Sequence, residues 1–199
     1  CVGRPVEGID VKVIRISDDP IPSWDGSLEC TTGEIGEIAV RGPWVTPSYF
    51  NRPQATALAK INVEGDGFYH RMGDIGYFDD RGRLWFCGRK AHRVVTKFGT
   101  LFTIPCEAVF NTHPAVFRTA LVGVPYGGDV RPVICIEREP GHAIDDETLK
   151  RELLELGSKH PHTAGIRALL VHPAFPVDIR HNAKIFREKL AVWAVKKVR

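Results

Sequence analysis

Apolar and polar residues alternate in short runs through the first 87 residues, which is the pattern of strands with one buried face. Five strands are predicted, at 11–16, 36–41, 68–70, 75–78 and 84–87. Residues 79–82, Asp-Asp-Arg-Gly, separate the last two strands and are typical of a hairpin turn, where Gly82 supplies a positive φ. One helix is predicted in this region, because Pro53 suits a first helical turn and 55–59 continue it.

Helical and strand-like segments alternate from residue 90 onward. Helices are predicted at 105–111 and 145–156, and strands at 116–124, 132–137 and 168–171. The last element is predicted as a helix that runs from Lys184 towards Lys197, with an apolar stripe interpreted as core packing. The fold class that follows is α+β, with a β-rich part at 1–89 and a small α+β domain at 90–199.

Composition places the chain among globular proteins. Of its 199 residues, 43% are hydrophobic and 26% are charged. Its longest apolar runs, such as 120–124 and 133–136, are too short for a bilayer, so no transmembrane segment is predicted. The net charge of +3 comes from interleaved acids and bases, so no nucleic acid partner is predicted.

Cysteine and histidine spacing argues against disulfides and bound metal. The five cysteines are odd in number, widely spaced and without a CxxC pair, which favours a reducing cytoplasm. Residues 160–162, His-Pro-His, have no cysteine or carboxylate partners at ligand spacing, so no metal site is predicted. The chain does not begin with Met and is expected to be a fragment of a longer protein.

Several short motifs follow one another along the chain. They are Gly-Glu-Ile-Gly-Glu-Ile at 33–38, Arg-Gly at 41–42, Gly-Asp at 73–74, Gly-Arg at 88–89, Pro-Cys-Glu at 105–107 and Ala-Lys-Ile at 183–185. Their order resembles that of the adenylate-forming superfamily, which contains acyl-CoA synthetases, peptide-synthetase adenylation domains and luciferases. The resemblance covers nearly the whole chain and implies the C-terminal portion of such an enzyme. Residues 1–89 would end the large AMP-binding domain in a distorted barrel-like subdomain, and 90–199 would form a mobile lid.

The resemblance also assigns roles to individual residues. Asp74 would accept the ribose hydroxyls of AMP, and Arg89 would lie beside ribose or phosphate oxygens. Lys184 would be the catalytic lysine that meets the carboxylate and phosphate as pyrophosphate leaves. Lys90 and Ala91 would form the hinge of the lid. Without the motifs, Gly73-Asp74 is typical of a turn, Arg89 of a surface salt bridge and Lys184 of a solvated lysine.

Departures from the common pattern point to one branch of the family. Arg-Met at 71–72 replaces the usual threonine before Gly-Asp, and 70–74, 103–107 and 181–184 resemble the β-lactone synthetases of bacterial long-chain olefin biosynthesis. That resemblance implies ATP and Mg²⁺, a long-chain 3-hydroxy acid substrate and partner enzymes of the olefin pathway. The acid would be activated as its adenylate, and its own hydroxyl would then close a β-lactone. No general base is identified, although His92 and His181 are conceivable.

Two alternatives remain open: an acyl-CoA synthetase, and a non-catalytic nucleotide-binding or interaction module. The family's phosphate loop and its Thr-Glu magnesium motif do not occur in these 199 residues, nor does a Walker or GxGxxG loop. The chain alone is therefore expected not to be a complete enzyme, and the magnesium ligand is expected upstream. Hydrolase chemistry is not predicted, because there is no GxSxG elbow.

Overall fold

The computed structural model describes residues 1–65, 67–180 and 184–198. The chain divides into two compact units, Cys1–Ala91 and His92–Arg199. Within the described residues, strands outnumber the four α-helices and form open sheets, which confirms a mixed α and β fold.

The first unit is built on a five-stranded antiparallel sheet. Its elements are β1 (Asp10–Ile14), β2 (Gly36–Arg41), α1 (Pro53–Ala59), β3 (Lys60–Asn62), β4 (Phe68–Phe78) and β5 (Leu84–Arg89). The strand order is β1-β2-β4-β3, and β5 pairs with β4. Ile14, Ala39, Ile61 and Tyr69 form the core on one face, where Trp24 lies against Tyr69 with ring centroids 4.4 Å apart.

β4 corrects the prediction of two separate strands at 68–70 and 75–78. It is one strand of 11 residues, and Gly73 and Asp74 lie inside it instead of in a turn. β3 pairs with its first part and β5 with its last part, while β2 pairs with both parts. The interruption seen in the sequence corresponds to the left-handed φ of Gly73 and to a shift of register between Ile75 and Gly76.

The second unit has a three-stranded sheet covered on both faces. Its elements are β6 (Val94–Thr96), β7 (Gly99–Leu101), α2 (Thr103–Phe110), β8 (Val116–Tyr126), β9 (Asp129–Arg138), α3 (Asp146–Ser158), β10 (Ala168–Val171), β11 (Val177–Asp178), β12 (Lys184–Ile185) and α4 (Arg187–Val195). The sheet order is β10-β9-β8, with β10 parallel to β9. Alternate residues along β8 and β9 enter two cores, one with α2 and α3 and the other with α4.

The prediction that the last helix begins at Lys184 is wrong. Lys184 and Ile185 instead pair with Asp178 and Val177 in a short antiparallel ladder, and the helix begins at Arg187. The strands β3, β6 and β7 were not predicted either, because three residues are too few for an alternating pattern to be recognised.

All five cysteines are free thiols. Cys1 is exposed, whereas Cys87, Cys106 and Cys135 are buried. Burial raises the pKa of the Cys87 thiol to about 11 and the pKa values of Cys106 and Cys135 to about 12. The cytoplasmic location inferred from the cysteines stays a prediction.

The described residues contain neither a candidate membrane-spanning helix nor a candidate metal site. No helix there is both long and apolar enough to cross a membrane. In the same residues, no group of three or more histidine, cysteine, aspartate or glutamate side chains could hold a metal ion.

Candidate functional site

Asp74 and Arg89 are brought together by the pairing of β4 with β5. They are direct cross-strand partners, and Nε of Arg89 lies 3.1 Å from Oδ1 of Asp74. The guanidinium also donates from Nη1 to the carbonyl oxygen of Met72 at 3.3 Å. The Arg89 side chain is 55% exposed and that of Asp74 is 21% exposed, so the pair opens to solvent on the arginine side.

The Asp74 carboxylate keeps an unused hydrogen-bond acceptor. Its Oδ1 is buried and has no hydrogen-bond partner among the described residues, because the contact with Arg89 is ionic and lacks hydrogen-bond geometry. Burial raises the pKa of Asp74; the Arg89 charge opposes this and the Glu37 charge adds to it. A desolvated acceptor of this kind suits a ligand that brings its own hydroxyl donors.

Glycines flank both members of the pair. Gly73 has φ +65° and Gly88 has φ +120°, conformations that other residues rarely adopt. The space beside Gly73 is open, so its conformation, and not crowding, requires a glycine. The two glycines therefore help to aim the strands that carry Asp74 and Arg89.

Lys90 and Ala91, the predicted hinge residues, end the first unit. Nζ of Lys90 donates to the carbonyl oxygen of Ser17 at 2.9 Å and lies 3.2 Å from Oε2 of Glu37. Lys90 is thus tied to the first unit by its side chain. The boundary between the two compact units falls directly after Ala91.

Glu37 and Arg71 form a buried ion pair below Lys90, and each side chain is only 1% exposed. Oε2 of Glu37 accepts from Nε of Arg71 at 3.1 Å and from Nη2 at 2.7 Å. The remaining guanidinium hydrogens go to backbone carbonyls, of Asp19 at 2.8 Å, of Leu58 at 3.1 Å and of Ser17. The arginine that departs from the family pattern therefore crosslinks three chain segments.

Sequence reasoning missed this network. The only signal was that Arg71 stands where a threonine is usual and that Glu37 belongs to a recognised motif. Since the two residues are 34 positions apart, their contact depends on the register of β2 against β4, which no local pattern specifies.

Lys184 lies in the second unit, on β12, and its side chain is exposed. Its backbone is held opposite Asp178 by the ladder with β11. The neighbouring residues His181, Asn182 and Ala183 lie outside the described residues, so the predicted loop at 178–182 is described only through the turn at 179–180. His92 lies in a short 3₁₀ turn, Lys90–His92.

The residues fit the sugar end of a nucleotide. A carboxylate whose Oδ1 is ion-paired but not hydrogen-bonded, next to a guanidinium, offers an acceptor and several donors, which match ribose hydroxyls and phosphate oxygens. The residues predicted for the nucleotide therefore form one cluster, while the predicted catalytic lysine belongs to the other unit.

Comparison with known proteins places the chain in a family. No protein-family model matches the chain. Over 98% of its length the chain is 54% identical to the olefin beta-lactone synthetases of Xanthomonas campestris pv. campestris and Stenotrophomonas maltophilia. The chain belongs to the adenylate-forming superfamily. As a member of it, the chain also has the fold of the ATP-bound MatB structure from Rhodopseudomonas palustris, with a TM-score of 0.77 over 99% of the chain at 21% identity.

The chain spans about a third of the length of the relatives it matches. It covers 36% of each of the two olefin beta-lactone synthetases and 36% of the MatB chain.

Proposed function

We propose that this chain belongs to an enzyme that activates a long-chain 3-hydroxy acid with ATP and closes it to a β-lactone. The observation that carries the proposal is the 54% identity to olefin beta-lactone synthetases across 98% of the chain. In this proposal, residues 1–89 end the AMP-binding domain with a barrel-like subdomain and 90–199 form its lid.

Asp74 and Arg89 hold the nucleotide in this proposal. The Asp74 carboxylate accepts hydrogen bonds from the ribose hydroxyls, and the exposed fork of Arg89 donates to ribose or phosphate oxygens. ATP supplies the leaving group, and Mg²⁺ arrives with it. Because a carboxylate is a poor electrophile, transfer of AMP to it is what makes the later ring closure possible.

Lys184 provides positive charge during the first step. Its exposed ammonium stabilises the negative charge that builds up as the carboxylate attacks the α-phosphate and pyrophosphate departs. Lys90 and Ala91 act as the hinge of the lid. The hinge assignment is supported by the boundary between the two compact units, which falls after Ala91.

The second step needs no further substrate. The 3-hydroxyl oxygen forms a bond to the activated carbonyl carbon, the bond from that carbon to the AMP oxygen breaks, and the hydroxyl proton leaves. Because attacking and attacked groups belong to one molecule, ring closure avoids the entropic cost of bringing a second reactant into place. The products are the lactone, AMP and pyrophosphate, and enzymes of an olefin pathway are the proposed partners.

The test uses the full-length protein with ATP, Mg²⁺ and a long-chain 3-hydroxy acid, with and without CoA. Mass spectrometry should find a CoA-independent product lighter than the acid by one water, with one AMP formed per product. Proton NMR of the ring positions separates a lactone from an unsaturated acid of equal mass. Lys184→Ala is the matched variant and should slow pyrophosphate release by about 100- to 1,000-fold.

The other outcomes separate the alternatives. A CoA thioester would identify an acyl-CoA synthetase instead. Nucleotide binding without pyrophosphate release, unchanged by Lys184→Ala, would identify a non-catalytic module.

A further inference from the structure

A buried ion pair joins α2 to the first residue of α4 in the second unit. Arg187 donates from Nη2 to Oε2 of Glu107 at 2.9 Å and from Nη1 to Oε1, so that the guanidinium forms a two-pronged contact with the carboxylate. The Glu107 side chain is 7% exposed and that of Arg187 is 14% exposed. Such a planar fork fixes orientation as well as distance.

The carboxylate of Glu107 has a further partner in the sheet. Its Oε1 accepts the backbone N–H of Leu121 on β8 at 2.7 Å. Burial raises the pKa of Glu107, while Arg187 and the Leu121 N–H favour the ionised form. Glu107 thus ties together the helix α2, the edge strand β8 and the start of α4.

Arg187 is three residues after Lys184, and few contacts among the described residues hold the segment between them. The cap residue of α4, Phe186, makes no side-chain capping bond, and Nζ of Lys189 lies 4.4 Å from the centre of its ring. The Phe186 backbone N–H donates to the carbonyl oxygen of Pro176 at 2.9 Å. Ile185 packs against the core of α4, and Lys184 and Ile185 pair with β11. A two-residue ladder is a weak anchor, so the fork on Glu107 adds a directional constraint three residues from Lys184.

We propose that Arg187 is a positioning residue for Lys184, and that its fork on Glu107 holds the Lys184 strand at the geometry needed for adenylate formation. This inference rests on the proposed function, in which Lys184 is catalytic. Arg187 is buried against Glu107 and acts through the backbone that it shares with Lys184.

The first experiment measures ATP–pyrophosphate exchange by the full-length protein with the 3-hydroxy acid. Arg187→Lys keeps the charge but loses the fork, and should lower kcat by about 10- to 100-fold, the scale expected for a displacement of about 1 Å. KM for ATP should stay within about twofold, because uniform binding is not affected. Glu107→Gln, which keeps an acceptor for Leu121, should act in the same direction and serves as the second variant if Arg187→Lys is unstable.

A double mutant separates positioning from general damage. If Arg187 acts through Lys184, adding Arg187→Lys to Lys184→Ala should lower the exchange rate no further. A loss that multiplies with that of Lys184→Ala would overturn the proposal, because it would show that Arg187 supports the fold or another step. An equal rise in KM and fall in kcat would overturn it as well.

The matched control is Arg138→Lys, in the same unit. Nη1 of Arg138 lies 2.9 Å from Asp146 at the start of α3, away from the Lys184 strand. This variant should exchange pyrophosphate like the wild type. The results also distinguish failure of the proposed function from failure of this inference. A wild type without pyrophosphate exchange would contradict both. An active wild type, a strongly impaired Lys184→Ala and a fully active Arg187→Lys would contradict this inference alone.

Discussion

Asp74 has a proposed role in function that conflicts with its effect on stability. Its buried oxygen has no hydrogen-bond partner among the described residues, and its pKa is raised because burial disfavours the charge. A group whose pKa is raised by folding contributes stability below its unfolded pKa and loses that contribution as pH rises through the folded value. At neutral pH the Asp74 carboxylate therefore costs stability, as is common where function requires an unsatisfied group.

Asp74→Asn should separate function from stability. The neutral amide removes a charged acceptor for ribose, so kcat/KM for ATP in the full-length protein should fall about 10- to 100-fold. The melting temperature should rise, because a carboxylate in an unfavourable site has been neutralised. Steady-state kinetics and differential scanning calorimetry check the two parts.

Asp80→Asn is the control for this substitution. Asp80 is an exposed turn residue between β4 and β5, so both quantities should stay at the wild-type values. A lower melting temperature for Asp74→Asn would show that the pair with Arg89 stabilises the fold more than burial of the carboxylate destabilises it.

The raised pKa of Asp74 also predicts the acid side of the pH profile. Protonation removes an acceptor for ribose, so ATP affinity should decline on acidification at a pH above that of an ordinary aspartate. Titration calorimetry across pH measures this decline. The same decline in Asp74→Asn would assign it to another group.

Elements of the fold show what local patterns can predict and what they cannot. Periodicity located several strands and helices, including β2, whose bounds of Gly36–Arg41 agree with the prediction, but it divided the 11-residue strand β4 into two. The start of α4 could not be located, because helical spacing continues through Lys184 while pairing with β11 removes it from the helix.

Contacts between elements were beyond the reach of sequence patterns. The motifs gave Asp74 and Arg89 separate roles but did not predict their contact, which results from the register of β4 against β5. The ion pair of Glu37 with Arg71 and that of Glu107 with Arg187 join residues 34 and 80 positions apart. Their energies depend on burial, which is a property of the packed elements and not of either segment.

Arg71→Met tests the buried pair that joins β2 to β4. It leaves Glu37 with Lys90 and removes one donor each from the carbonyls of Ser17, Asp19 and Leu58, so the first unit should lose about 3–5 kcal/mol of unfolding free energy. Three of the four tryptophans lie in that unit, and the fourth is Trp193. In a Trp193→Phe background, urea unfolding followed by tryptophan fluorescence therefore reports on the first unit.

Lys12→Met supplies the comparison in the same unit. Lys12 lies 3.1 Å from Glu29 at the surface, where the two side chains are 30% and 43% exposed. Its loss should change the free energy by less than about 1 kcal/mol. Equal effects of Lys12→Met and Arg71→Met would contradict the importance given to burial.

For the molecule as a whole, the pair proposed to bind the nucleotide and the lysine proposed to be catalytic belong to different compact units, and neither unit contains a recognisable phosphate loop. The 199-residue chain by itself should therefore release no pyrophosphate from ATP and a 3-hydroxy acid, whereas the full-length protein should. A coupled pyrophosphate assay on both proteins at equal concentration makes the comparison. Robust turnover by the shorter chain would show that these residues contain a phosphate site that their sequence does not reveal.

The buried thiols have a consequence for how the molecule can be observed. Cys87 lies in the first unit, and Cys106 and Cys135 lie in the second, each with a pKa raised to about 11 or 12. A thiol that is both covered and protonated reacts with an alkylating reagent only when its surroundings open. Timed alkylation followed by peptide mapping would therefore measure, in one sample, the rate at which the buried cysteines of each unit react. The ratio of the two rates would show whether the two units open together or independently.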